Sequence, residues 1–143
     1  MRFSTTTRPV MLAAAIVLAT LPCVVFAQRS ATAAASTNVQ AGAATFRLYC
    51  AVCHGETGKG NGPSASALHP RPSNLTTIAR RNGSFPAERV SRTIRGADPV
   101  VAHGTEGMMV WNSFFLADAN GDAVKADQRV TNLVDYIQSI QAK

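Results

Sequence analysis

The clearest pattern of apolar and polar positions lies near the end of the chain. Val130, Leu133, Val134, Ile137 and Ile140 fall at i, i+3, i+4, i+7 and i+10, with polar residues between them, and so form one stripe on a helix. The spacing predicts a final helix over residues 127–141. A second stripe runs through Val39, Gly42, Ala43, Phe46, Tyr49 and Cys50, and Cys53 continues its line. Asn38 is placed as the N-cap of a helix that reaches Cys50. Gly55, Gly58, Gly60 and Gly62 lie within eight residues and predict a loop over 55–63. Residues 64–68 read as one helical turn, and Pro70 and Pro72 forbid regular structure around them. Pro86 suits the first position of another helix, with Glu88 as its third residue, Gly96 as its stop, and Val90 and Ile94 facing inward. Residues 99–109 read as extended loop and 111–117 as a short helix. There is no period-2 run and no internal repeat. The expected fold class is all-α, with long loops.

The first residues follow a different logic. Arg2 and Arg8 precede the segment 10–27, in which 16 of 18 residues are apolar and only Thr20 and Pro22 interrupt. Val25 and Ala27 supply small residues at the −3 and −1 positions of a cleavage site. Residues 1–27 are therefore expected to be a signal peptide, 28–37 a flexible lead-in rich in Ala, Ser and Thr, and 38–143 the folded domain. The rival reading is an uncleaved anchor, but 10–21 is short for a span and Pro22 follows it. Pro22 before Cys23 also argues against lipidation. The chain is thus expected in the periplasm, with no stable membrane insertion after cleavage.

Composition narrows the function. The 14 Lys and Arg against 8 Asp and Glu give a net charge of +6, and no basic run exceeds Arg80-Arg81, so nucleic acid is not an expected partner. With 46% apolar and 15% charged residues, wholesale disorder is excluded. From residue 28 onward only 29 apolar residues are larger than alanine, two of them Cys50 and Cys53. That is a thin core for so small a domain, and it leaves room for something else in the interior.

Cys50-Ala51-Val52-Cys53-His54 supplies the chemistry. A thiol adds across a haem vinyl group to give a thioether, and haem has two vinyls. Two cysteines separated by two residues reach both, and the histidine after the second is then held beneath the iron as an axial ligand. The export signal supplies the compartment in which such attachment occurs. Three other readings are weaker. A redox pair would want a βαβ context, and none is visible. A zinc site would need His69 and His103 to complete four ligands. A structural disulfide leaves His54 unexplained.

On these residues the sequence resembles the small class I c-type cytochromes over most of its length from residue 38. Gly42 and Phe46 stand eight and four positions before Cys50, as does the pair that lets the family's first helix cross its last, and Leu133 and Tyr136 occupy the matching places in the final helix. The segment from Cys53 to Pro63 resembles the family's haem-binding loop, and Arg71-Pro72-Ser73-Asn74-Leu75-Thr76 its proline-rich segment. The resemblance implies a cytochrome c fold, with crossing terminal helices and long loops around one covalent haem c. It also implies that the Pro63 carbonyl orients the His54 ring. The sixth ligand would come from the stretch ending Met108-Met109-Val110-Trp111, similar to the family's Met-Pro-x-Trp loop. Alignment on Trp111 makes Met108 the ligand, with Met109 as the alternative where the family has proline. His103 and His69 are the weaker candidates. Trp111 would pack either at a haem propionate or simply in the core.

A thioether in the sixth position leaves no open site for substrate. The expected function is then periplasmic electron transfer with His/Met ligation, not catalysis. Expected partners are other redox proteins: a periplasmic dehydrogenase or reductase, a terminal oxidase or a respiratory complex. A dedicated cytochrome subunit of a dehydrogenase or reductase complex is the alternative, and a haem enzyme or gas sensor with an open iron the third. Arg71, Arg80, Arg81, Arg89, Arg92 and Arg95, opposed over that stretch only by Glu88, form either a docking face or a solvated surface.

Overall fold

The structure is a computed structural model that describes residues 35–97 and 108–142. All of these belong to the compact unit Ala34–Lys143. The expected signal peptide, most of the lead-in, His103 and nearly all of the 99–109 loop lie outside the described residues. Five helical segments carry the fold. α1 covers residues 35–54: α-helical over 35–45, a π-helical turn Phe46–Cys50, and a last α-turn Ala51–His54. α2 (Ile78–Asn82) is entered through a 3₁₀ turn, Leu75–Thr77, after which come α3 (Ala87–Arg95), α4 (Trp111–Asp118) and α5 (Ala123–Ser139). Among the described residues there is no strand.

Several boundaries differ from expectation. Asn38 lies inside α1, which already includes residues 35–37. Alanine favours the helix more than any other residue, and the run before Asn38 is rich in it. Pro86 is the N-cap of α3, not its first residue, with φ −87° and ψ 73°, so Glu88 falls one place earlier in the first turn. α5 starts at Ala123 because the Asp122 carboxylate accepts from the Lys125 amide at 3.1 Å. α2 has no apolar stripe to betray it. It is nucleated by Asn74, whose side-chain oxygen accepts from the Thr76 amide at 2.9 Å and the Thr76 hydroxyl at 2.8 Å.

The predicted stripe of α5 is the centre of the core. Val130 and Leu133 are fully buried, Val134 and Ile137 nearly so, and Phe46 from α1, Ile94 from α3 and Phe115 from α4 meet them. α1 crosses α5 at the expected residues. A Cβ on Gly42 would lie 1.9 Å from the Asn132 carbonyl oxygen and 2.8 Å from the Tyr136 Cβ, so only glycine lets the backbones come this close. One turn on, the Phe46 ring packs against Tyr136 with centroids 5.1 Å apart. The chain after α5 is stitched to the start of α2. The Gln141 amide oxygen accepts from the Ala79 N–H at 2.9 Å, its nitrogen donates to the Leu75 carbonyl at 2.8 Å, and the Ala142 N–H donates to the Thr76 carbonyl at 2.7 Å.

Candidate cofactor-attachment site

The last turn of α1 forms one wall of a cleft. Tyr49, Cys50, Val52, Cys53 and His54 line it from α1, Leu68, Pro70 and Pro72 from the connection to α2, and Met108, Met109 and Trp111 from the approach to α4. The empty space between these walls, open solvent included, is about 690 Å³. None of the lining residues is Asp, Glu, Lys or Arg.

Cys50 and Cys53 are both free thiols facing this cleft. Burial, reinforced by the neighbouring Cys53, pushes the Cys50 thiol up to about 12. Cys50 therefore stays protonated and apolar until it reacts. The loop after His54 is held by backbone bonds. Gly60 N–H donates to the His54 carbonyl at 2.7 Å, Gly62 N–H to Cys53 at 3.1 Å, and Ser64 N–H to Val52 at 3.0 Å. The loop thus folds back over the end of α1 and holds the backbone that carries Cys53 and His54.

One expectation needs correction. The His54 Nδ1 lies 3.1 Å from the carbonyl oxygen of Ser73, not at the Pro63 carbonyl. The Leu75 N–H donates to the Gly58 carbonyl at 2.7 Å, which draws the segment after Pro72 across the glycine loop and brings Ser73 beneath the ring. Pro63 is solvent-exposed. An acceptor of this kind fixes the ring orientation of a histidine that is to bind a metal. Sequence reasoning missed Ser73 because the atom that acts is a backbone carbonyl, which has no residue signature. It also missed the lining roles of Tyr49, Val52, Leu68 and Pro70.

The second wall comes from the far end of the domain. Met108 is half-buried, whereas Met109 is 60% exposed at the rim. Trp111 packs with Tyr49, Phe114 and Phe115, with centroids 5.6–5.7 Å apart. The core alternative for Trp111 is thus satisfied by direct contact, while the same ring also borders the cleft. His69 is exposed and does not line the cleft.

The donors suit a haem. Two thiols at vinyl spacing, an imidazole with its Nδ1 engaged and a methionine thioether share one apolar cleft that a flat macrocycle could enter. Among the described residues, which do not include His103, no group of three His, Cys, Asp or Glu could hold a metal ion. No described helix is long and apolar enough to cross a membrane. Comparison with known proteins agrees with the geometry: the family profile described as Cytochrome c matches residues 39–141. No curated protein and no solved structure shows a significant match.

Proposed function

The chain belongs to the cytochrome c family, and on that premise we propose that it is a periplasmic carrier of single electrons between redox proteins, with His54 and Met108 as axial ligands. Its fold is the all-α cytochrome c fold, its cofactor is covalently bound haem c, and its chemistry is haem-based electron transfer. When bound, haem supplies an iron that gains and loses one electron.

The residues of the chain do the rest. Cys50 and Cys53 anchor the group through thioethers, so that it is not lost between partners. His54 is held by the Ser73 carbonyl. Met108 brings a soft sulfur donor, which favours the reduced state and raises the potential, and the uncharged lining works in the same direction. With His54 and Met108 both holding the iron, the cleft would have no coordination site for a substrate. The observation that carries this reading is that His54 and Met108, from opposite ends of the domain, border the same cleft.

Arg80, Arg81 and Arg89 are exposed, and the Arg89 guanidinium donates to the Asn82 side chain at 2.6 Å, which ties the start of α3 to the end of α2. This supports reading Arg80, Arg81 and Arg89 as a basic patch that speeds encounter with an acidic redox partner. Export is supported by the apolar segment 10–27 and its flanks.

Two measurements test the proposal. On a denaturing gel stained for haem peroxidase activity, the stain should travel with the chain, and Cys50→Ser or Cys53→Ser should remove most of it. Release of the colour into acidified organic solvent would contradict covalent attachment. N-terminal sequencing of the protein from a periplasmic fraction should begin at Gln28; an intact leader, or recovery in the cytoplasm, would overturn the localisation.

A further inference from the structure

We infer that Gly96 is a positioning residue for the Met108 sulfur, acting through Val110. The inference rests on the axial role proposed above for Met108. Gly96 ends α3 in the left-handed region, at φ +75°, with its N–H bonded to the Thr93 carbonyl at 3.1 Å and the Ala97 N–H bonded to the Arg92 carbonyl at 2.9 Å. Its bare Cα is the seat on which Val110 rests. A Cβ there would lie 2.7 Å from each Val110 γ-carbon and 3.1 Å from its Cβ.

Val110 occupies a decisive place. It is the N-cap of α4, two residues after Met108 and one before Trp111. The seat beneath it is firm, because Arg95, the neighbour of Gly96, is paired with Asp127 on α5 and lies 3.5 Å from Asn112 on α4. Gly96 and Val110 therefore pin together the two ends of the chain segment that carries Met108.

The contact cannot be relieved by turning the valine. A valine has three staggered positions at χ1 and fills two of them. Both filled positions now face Gly96, so every other rotamer keeps at least one of them filled. A side chain at position 96 must therefore push the Val110 backbone toward solvent, where Val110 already has 53% of its surface. Met108, two peptide units away, moves with it. The seat thus sets how deep the sulfur sits in the cleft.

The test uses the oxidised, haem-loaded protein and the weak sulfur-to-iron charge-transfer band in the red. Gly96→Ala should lose most of this band and bind added imidazole more tightly than the wild type. The double variant Gly96→Ala/Val110→Ala keeps the backbone strain at position 96 but removes the two γ-carbon clashes, leaving only the 3.1 Å contact to the Cβ of residue 110, and it should regain most of the band. Val110→Ala alone should keep the band yet let imidazole compete more readily, because the stop is gone; this variant changes an exposed residue and serves if Gly96→Ala fails to fold. A Gly96→Ala protein with a wild-type band, a double variant without recovery, or a Val110→Ala protein with unchanged imidazole affinity would each overturn the inference. Met108→Ala is measured alongside. If it keeps the band, the axial assignment fails; if it loses the band while Gly96→Ala does not, only the positioning role fails.

Discussion

Met108→Ala is expected to abolish the sulfur-to-iron band of the oxidised protein, lower the reduction potential and let CO bind the reduced protein, while Met109→Ala leaves the band in place. The difference follows from position. Both methionines border the cleft, but Met108 is half-buried, whereas Met109 has 60% of its surface in solvent. A ligand must be held inside the cleft, not at its rim. Loss of the thioether removes the donor that favours the reduced state, which is why the potential should fall. If the two variants behave in reverse, the alignment on Trp111 is wrong by one residue. If neither loses the band, or the wild type is high-spin, the electron-carrier reading gives way to an enzyme or sensor with an open iron. Visible spectra and a potentiometric titration decide among these outcomes.

Gly42→Leu should produce the largest loss of stability of any single change in the helix crossing. The obstacle at position 42 is the carbonyl of Asn132, 1.9 Å from where a Cβ would sit, and a backbone in the middle of α5 cannot rotate away. The two helices must separate, and the Phe46–Tyr136 contact one turn on opens with them. Overpacking typically costs about 1–3 kcal/mol, and a backbone obstacle puts this variant at the upper end. For a domain of this size that lowers Tm by on the order of 10 °C. Even Gly42→Ala should show much of the effect, because the first carbon already clashes. Thermal melts of the holoprotein followed by circular dichroism check this, and a fall of less than a few degrees for Gly42→Leu would mean that the helices do not cross here.

The two predictions draw on parts of the molecule that were unequally legible in the sequence. The α5 stripe and the Gly42–Phe46 pair were readable because helical spacing and glycine's missing side chain leave marks in the residue order. Cys50, Cys53 and His54 stand out in the sequence because the chemistry expected of them demands one spacing, and the structure sets all three on one cleft. Other features leave no such mark. Ser73 acts through a backbone carbonyl, and its place beneath His54 depends on the bond from Leu75 to Gly58 across the loop. Pro63 was the expected acceptor because the family resemblance implied it. α2 was invisible because Ile78 is its one large apolar residue against the core, too little for a stripe, and polar contacts from Asn74 and the Gln141 side chain help to hold it in place. The helix starts erred where local propensity or capping outran the stripe: alanines extended α1 upstream, and Asp122 began α5 ahead of its first buried valine.

The glycine loop that closes over α1 also has an electrical consequence. A helix ends in unpaired carbonyls that together carry about half a unit of negative charge, and α1 ends at His54 itself. Left bare, that charge would favour the more positive, oxidised centre and hold the potential down. It is not left bare. The carbonyls of Val52, Cys53 and His54 receive N–H groups from Ser64, Gly62 and Gly60, each at 2.7–3.1 Å. These three donors oppose the macrodipole at its negative pole, beside His54. The loop is therefore a dielectric shield for the redox centre, and any loosening of it should draw the potential downward even where every ligand stays in place.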